Sequence, residues 1–165
     1  MTGDSGQISG EYLFIAGILI VIAMISVVFI ASESELNTAM TAARIGVNEG
    51  IASSSVVIYP EDTFRDYEID KEDLLIPNSV EIVNVSYEEM GIDEKYGKKK
   101  IQFKVYATSS KSFSDKQLDS IGERINYNLR KSLAFSFNST SSTNGLYNPV
   151  FSSHYIYTTA NVKWV

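Results

Sequence analysis

The sequence predicts an α+β protein: a long N-terminal hydrophobic α-helix, or spine, followed by a small antiparallel β-sheet head domain with one packed helix. Three observations lead there. Tyr12 to Ala31 is a run of twenty residues without a charge or a proline. Ile101 to Ala107 and Tyr155 to Val165 alternate between two faces with the period of a strand. Between them Leu118, Ile121, Ile125, Leu129 and Leu133 recur at helical spacing.

Composition narrows the function classes. The chain has 165 residues, so about 110 remain for a globular part once the first fifty or so are set aside. Twenty acidic against 14 basic residues give a net charge of -6, which leaves no broad basic footprint for nucleic acid. Cysteine is absent, which removes disulfides, thiolate metal sites and cysteine nucleophiles. The single histidine, His154, sits among serines at the start of a strand and is expected to be structural or exposed. Ten tyrosines and eight phenylalanines point to an aromatic-rich core or contact surface. No glycine-rich phosphate loop, G-x-S-x-G elbow or H-E-x-x-H pair occurs, so neither an enzyme nor a small-molecule substrate, cofactor or metal is expected.

Taken in order, residues 1–6 are small and polar with Asp4 their one charge, unlike the basic n-region of an ordinary secretory signal. The far end of the apolar run does not suit signal peptidase, because Phe29 and Ala31 flank Ile30 where two small residues are needed. The run is therefore expected to be retained. At about 1.5 Å of rise per residue its twenty residues reach roughly 30 Å, the thickness of a bilayer core. Glu11 stands directly at its front edge, where a carboxylate is costly unless it has a partner or a role.

Gln7, Ser9 and Glu11 set immediately before a membrane-length helix resemble the Q-x-S-x-E motif of class III signal peptides, which marks archaeal type IV pilin-like proteins. The resemblance covers about twenty-five residues. It implies cleavage by a prepilin peptidase between Gly6 and Gln7, so that residues 1–6 are a cleaved leader and the apolar helix stays on the mature chain. It implies processing residues Gly6, Gln7, Ser9 and Glu11, and assembly residues Gln7, Glu11, Leu13, Phe14, Ile18 and Val21. In this reading the partners are other pilins and copies of the same chain in a helical filament, with the membrane holding the precursor and the cell surface the product. The new α-amino group of one subunit would pair with Glu11 of a neighbour and set the axial register. The simpler alternative is that Glu11 caps the helix N-terminus of an anchored monomer, where the macrodipole favours a negative charge.

Beyond Ala31 the stripe Leu36, Met40, Ala43, Val47 and Ile51 continues at steps of three and four, so one helix is expected from Ile8 to Ala52, about 65 Å long. Residues 12–31 form its membrane or filament-core segment and residues 32–52 an amphipathic half that is rich in small residues (Ala39, Ala42, Ala43, Gly46) and carries the head, residues 53–165. Gly50 and Ser53 to Ser55 are expected to end the helix. Val56 to Tyr59 reads as a short strand closed by Pro60. Glu61 to Asp73 follows as an acidic connection whose spacing does not match a calcium-binding EF-hand loop.

Val80 to Tyr87 and Ile101 to Ala107 read as an antiparallel hairpin with Glu88 to Lys99 as its tip and Gly97 available for the turn. The triplet Lys98, Lys99 and Lys100 is either a docking patch or part of that solvated tip. Ser114 with Gln117 forms a capping-box start for the second helix, which ends near Phe135 and covers one face of the sheet. Asn138 to Gly145 is a polar surface loop. In the last strand Ile156, Thr158, Ala160, Val162 and Trp164 share one side, and Tyr155, Tyr157 and Lys163 face the other as core or as a subunit contact. Two sequons offer glycosylation acceptors: Asn138 in the loop, and Asn84 within a strand where burial is expected to hinder it. The functional expectation is a pilin of an extracellular filament. Its alternative is a single-span membrane-anchored extracellular binding domain that does not polymerise, and a secreted enzyme with an acidic site at Asp62 to Asp73 ranks last.

Overall fold

The computed structural model describes residues 4–52, 80–110 and 112–165, with residues 4–9 described as helix backbone only. The expected strand at Val56 to Tyr59, the acidic connection and Ser53 to Ser55 lie outside the described residues. By its internal contacts the chain divides into two units, Met1–Asn37 and Thr38–Val165. Among the described residues the architecture is the expected α+β: a long N-terminal apolar helix, a small five-stranded sheet and one further helix.

Helix α1 spans Asp4–Ala52, 49 residues, and so begins four residues before the expected Ile8. In the second unit its buried face repeats at steps of three and four through Ala39, Ala42, Ala43, Val47 and Gly50, close to the stripe read from the sequence. Gly50 does not end the helix. It lies on that buried face, where an added Cβ would stand 3.0 Å from the Cα of Ile125, so its role is close approach rather than termination.

Strands β1 (Val80–Asp93) and β2 (Lys98–Ser109) form the expected antiparallel hairpin, but they are longer than expected and their turn is confined to residues 94–97. Asp93 Oδ1 accepts hydrogen bonds from the backbone N–H groups of Lys95 (3.0 Å) and Tyr96 (3.3 Å). Gly97 takes the left-handed backbone (φ 63°) and donates its N–H to the Asp93 carbonyl at 2.8 Å. A local Asx turn thus makes the wide tip unnecessary. The lysine triplet consequently belongs to β2 itself: Lys98 Nζ donates to the Ser152 carbonyl at 2.6 Å, Lys99 is exposed and Lys100 half-buried.

Helix α2 (Asp115–Ser136) starts with the expected cap, the Ser114 backbone N–H donating to Gln117 Oε1 at 2.9 Å. It ends in a Schellman-type arrangement: the Ser139 N–H reaches the Ala134 carbonyl and the Asn138 N–H the Phe135 carbonyl, with Asn138 at φ 49° in the place usually taken by glycine. A 3₁₀ turn (Thr140–Ser142) leads to β3 (Val150–Phe151), β4 (Tyr155–Thr159) and β5 (Lys163–Trp164).

The sheet is mixed rather than antiparallel throughout. Its order is β1-β2-β4-β3, with β5 also on β2, and both β4 and β5 run parallel to β2. The cause is the connection: a helix between β2 and β4 brings the chain back to the end from which β2 began, as parallel pairing requires. The last strand region is also divided. Thr159 pairs with Phe103 and Lys163 with Tyr106, so three residues on the terminal side oppose two on β2, and the expected simple alternation shifts across Ala160 to Val162.

The core lies between the sheet, α2 and the second half of α1. Ile101, Phe103, Val105 and Ala107 of β2 are fully buried, as their alternation indicated, with Ile125, Leu129 and Leu133 of α2 and Ala39, Ala43 and Val47 of α1. Tyr155 and Tyr157 are buried too, so the tyrosine face is not a subunit contact. Tyr157 stacks on Phe137 at 5.3 Å and contacts Phe103 at 6.0 Å, because the parallel register places it beside Ile101 on the core side.

Candidate assembly and processing surface

The backbone around Gly6, Gln7 and Ser9 is helical and continuous with the apolar run, and Glu11 is exposed where that run begins. Fifteen large apolar side chains from Tyr12 to Ile30 are each at least 45 % exposed, distributed around the whole helix. A helix that is apolar on all sides belongs in a membrane or in the interior of a larger packing. Magnitudes decide this. Burying each such side chain is worth about 1.5–3 kcal/mol relative to water, so the set represents tens of kcal/mol, whereas whole domains are stable by only about 5–15 kcal/mol. The helix is long and apolar enough to cross a membrane, which supports a membrane-anchored protein.

The two serines near the far end do not oppose a lipid environment. Ser26 Oγ donates to the Ile22 carbonyl at 2.8 Å and Ser32 Oγ to the Phe29 carbonyl at 2.9 Å, so both hydroxyl protons are satisfied within the helix.

Of the residues expected to serve assembly, Leu13, Phe14, Ile18 and Val21 lie together on one side of α1 and, with Ile22, border a shallow open groove at Gly17. An added Cβ at Gly17 would meet nothing within 4 Å. Gly17 was not singled out from the sequence, although a glycine inside an otherwise bulky apolar run is the usual signal for close helix approach. Side chains of Gln7 and Ser9 are not among those described.

The two sequons are both accessible. Asn138 is exposed at the left-handed end of α2, and Thr140, which supplies the sequon hydroxyl, is exposed as well. Asn84 is exposed rather than buried, correcting the expectation: it pairs with Tyr106 on the outer face of β1, next to an irregularity between Ile82 and Asn84 that leaves Val83 unpaired in the register. His154 is exposed, its ring edge-on to Tyr155. Among the described residues no group of three or more His, Cys, Asp or Glu side chains converges.

No protein-family model matches the chain, and searches of curated proteins and of solved structures gave no match.

Proposed function

We propose that this chain is a structural subunit of an archaeal type IV pilus-like surface filament. It enters the membrane as a precursor, a prepilin peptidase cleaves it before Gln7, and the apolar helices then pack with those of other copies. The observation that carries the reading is the placement of Gln7, Ser9 and Glu11 directly ahead of a helix whose apolar side chains are exposed on every side. In lipid that surface is satisfied. Outside lipid it needs neighbours of its own kind, and the groove at Gly17 between Phe14, Ile18 and Val21 suits a close helix–helix crossing.

Glu11 then has two settings. In the membrane it sits at the headgroup level, and in the filament it meets the α-amino group of a neighbouring Gln7, a pairing that only one axial stagger permits. No catalytic step enters this reading, and the second unit decorates the filament surface, where Asn138 and Asn84 are open to glycosylation.

The test is the N-terminal residue of the mature protein, determined by mass spectrometry, together with electron microscopy of sheared surface material. A mature N-terminus at Gln7, with filaments that disappear in Glu11→Ala, is the expected result. An uncleaved chain that stays with the membrane fraction, unaffected by Glu11→Ala, overturns the filament and leaves a single-span anchored binding domain.

A further inference from the structure

Helix α2 runs out through Phe135, Ser136, Phe137 and Asn138, and its two phenylalanines meet opposite fates. Phe137 stacks on Tyr157, whereas Phe135 leaves 61 % of its surface in solvent, its ring tilted beside that of Tyr147 with 6.4 Å between centres. A single exposed apolar side chain is ordinary on a protein surface. The place of this one is not: the Asn138 N–H donates to the Phe135 carbonyl at 3.1 Å, so one closed turn carries the ring at its start and the sequon asparagine at its end.

Asn138 holds φ 49°, a conformation that glycine takes without steric cost. Elsewhere in the second unit asparagine carboxamides serve the fold. Asn126 Nδ2 donates to the Ala160 carbonyl, Asn128 Nδ2 donates to the Arg124 carbonyl, and Asn144 Oδ1 accepts from the N–H groups of Leu146 and Asn148. The Asn138 carboxamide makes no such bond among the described residues, and Asn138 is exposed. Thr140, which completes the sequon, opens the 3₁₀ turn and is exposed too. The other sequon is placed differently: Asn84 lies in the β1–β2 ladder opposite Tyr106, whose ring already has Lys163 Nζ 5.6 Å from its centre.

We propose that Asn138 carries an N-linked glycan whose first sugar packs on the face of the Phe135 ring. In the transfer, Asn138 Nδ2 gives up one proton and bonds to the anomeric carbon of an oligosaccharide carried on a lipid phosphate. The anomeric C–O bond breaks, and the lipid phosphate leaves with that electron pair. Only an exported chain meets this donor, so the site rests on the surface placement proposed above and not on filament formation. One face of a pyranose is a set of C–H groups with slight positive charge, and the face of an aromatic ring is the negative side of its quadrupole, so the two attract as both leave water. Attachment three residues from the ring makes the contact intramolecular and raises its effective concentration. At Asn84 the neighbouring ring is taken by Lys163, and a sugar there gains no such support.

The test uses full-length protein purified from cells that naturally produce it. Peptide mass spectrometry reads the sugar on Asn138, and melting is followed through Trp164, the only tryptophan, in wild type, Asn138→Gln, Phe135→Leu and the double variant. Phe135→Leu keeps an apolar side chain at an exposed helical position, which retains the fold while removing the ring face. The expected result is a hexose or hexosamine on Asn138 in both wild type and Phe135→Leu. Asn138→Gln lowers Tm by several degrees when Phe135 is present and leaves it almost unmoved beside Leu. Sugar protons shifted upfield by the ring current in wild type return to ordinary positions in Phe135→Leu. A glycan whose loss costs the same beside Leu as beside Phe overturns the proposal. So does an unmodified Asn138, and if that chain begins at Gln7 the filament reading stands without it. A ring-stacked glycan on an uncleaved, membrane-held chain supports the proposal and removes the filament.

Discussion

Gly46 of α1 rests directly on the backbone of α2 at Asn128: a Cβ added there would stand 2.5 Å from the Asn128 carbonyl oxygen and 2.8 Å from the Leu129 Cα. Both are backbone atoms, so no side chain can swing aside. Alanine normally gains about 0.5–1 kcal/mol over glycine within a helix. Here the overlap outweighs that gain, and Gly46→Ala is expected to destabilise the second unit by about 1–3 kcal/mol. Urea unfolding followed by Trp164 fluorescence measures it. Gly17→Ala, with open space around it, is expected to leave the same transition unmoved.

Phe103 is fully buried, while its cross-strand partner Tyr87, at 6.3 Å between ring centres, is 40 % exposed. Phe103→Ala is expected to cost about 3–5 kcal/mol through lost transfer energy and the cavity left behind. Tyr87→Ala should cost about 1 kcal/mol, since much of its ring is already in water. Equal losses in the unfolding midpoints of the two variants would mean that the core does not centre on β2.

Glu88 pairs across the hairpin with Lys104. The hydrogen bond from Lys104, and then its charge, hold the Glu88 carboxyl below the ordinary glutamate value and push the Lys104 ammonium up. A carboxylate with a depressed folded-state pKa stabilises the fold above its unfolded pKa, and that contribution is lost as pH falls through the folded value. The pair is solvent-exposed, so its effect on stability is small. The check is therefore the titration of Glu88 itself by NMR: a midpoint below that of ordinary glutamates, rising in Lys104→Gln.

Arg130, half-buried, donates from Nε to the Leu146 carbonyl (3.0 Å) and from Nη1 to Thr159 Oγ1 (2.6 Å), tying the loop before β3 to the end of β4. Replacing it by methionine should cost about 1–3 kcal/mol, because the carbonyl and hydroxyl lose a charged donor. Amide exchange over residues 144–148 should accelerate. Arg130→Lys is not expected to restore protection, since a single ammonium cannot span both acceptors as the guanidinium fork does.

Local patterns carried the reading of individual elements. Alternation through Ile101, Phe103, Val105 and Ala107 marked β2, and Ser114 with Gln117 marked the start of α2, because each signal is contained within a few residues. What the sequence did not disclose depends on which distant segments meet. The parallel pairing of β4 with β2 follows from the whole connection, and it turned Tyr155 and Tyr157 inward. Gly46 is one small residue among several in the sequence, and only the fold sets the Asn128 backbone beneath it. Phe135 and the Asn138 sequon are neighbours in the sequence, but Tyr147 joins them only through the fold. In the first unit the apolar run itself was legible, since its signal is contained within one continuous stretch of α1.

The parallel placement of β4 and β5 against β2 also orders events during synthesis. β2 has β1 as a neighbour as soon as the hairpin has emerged, but its other side stays open until residues 155–164 have left the ribosome. The apolar stretch of α1 is made more than a hundred residues earlier. The apolar stretch is thus complete while the rest of the chain is still unfolded, and the long-range pairing that completes the sheet comes last. A chain cut short before Tyr155 would have its membrane segment and no closed sheet, leaving the open side of β2 available for mispairing.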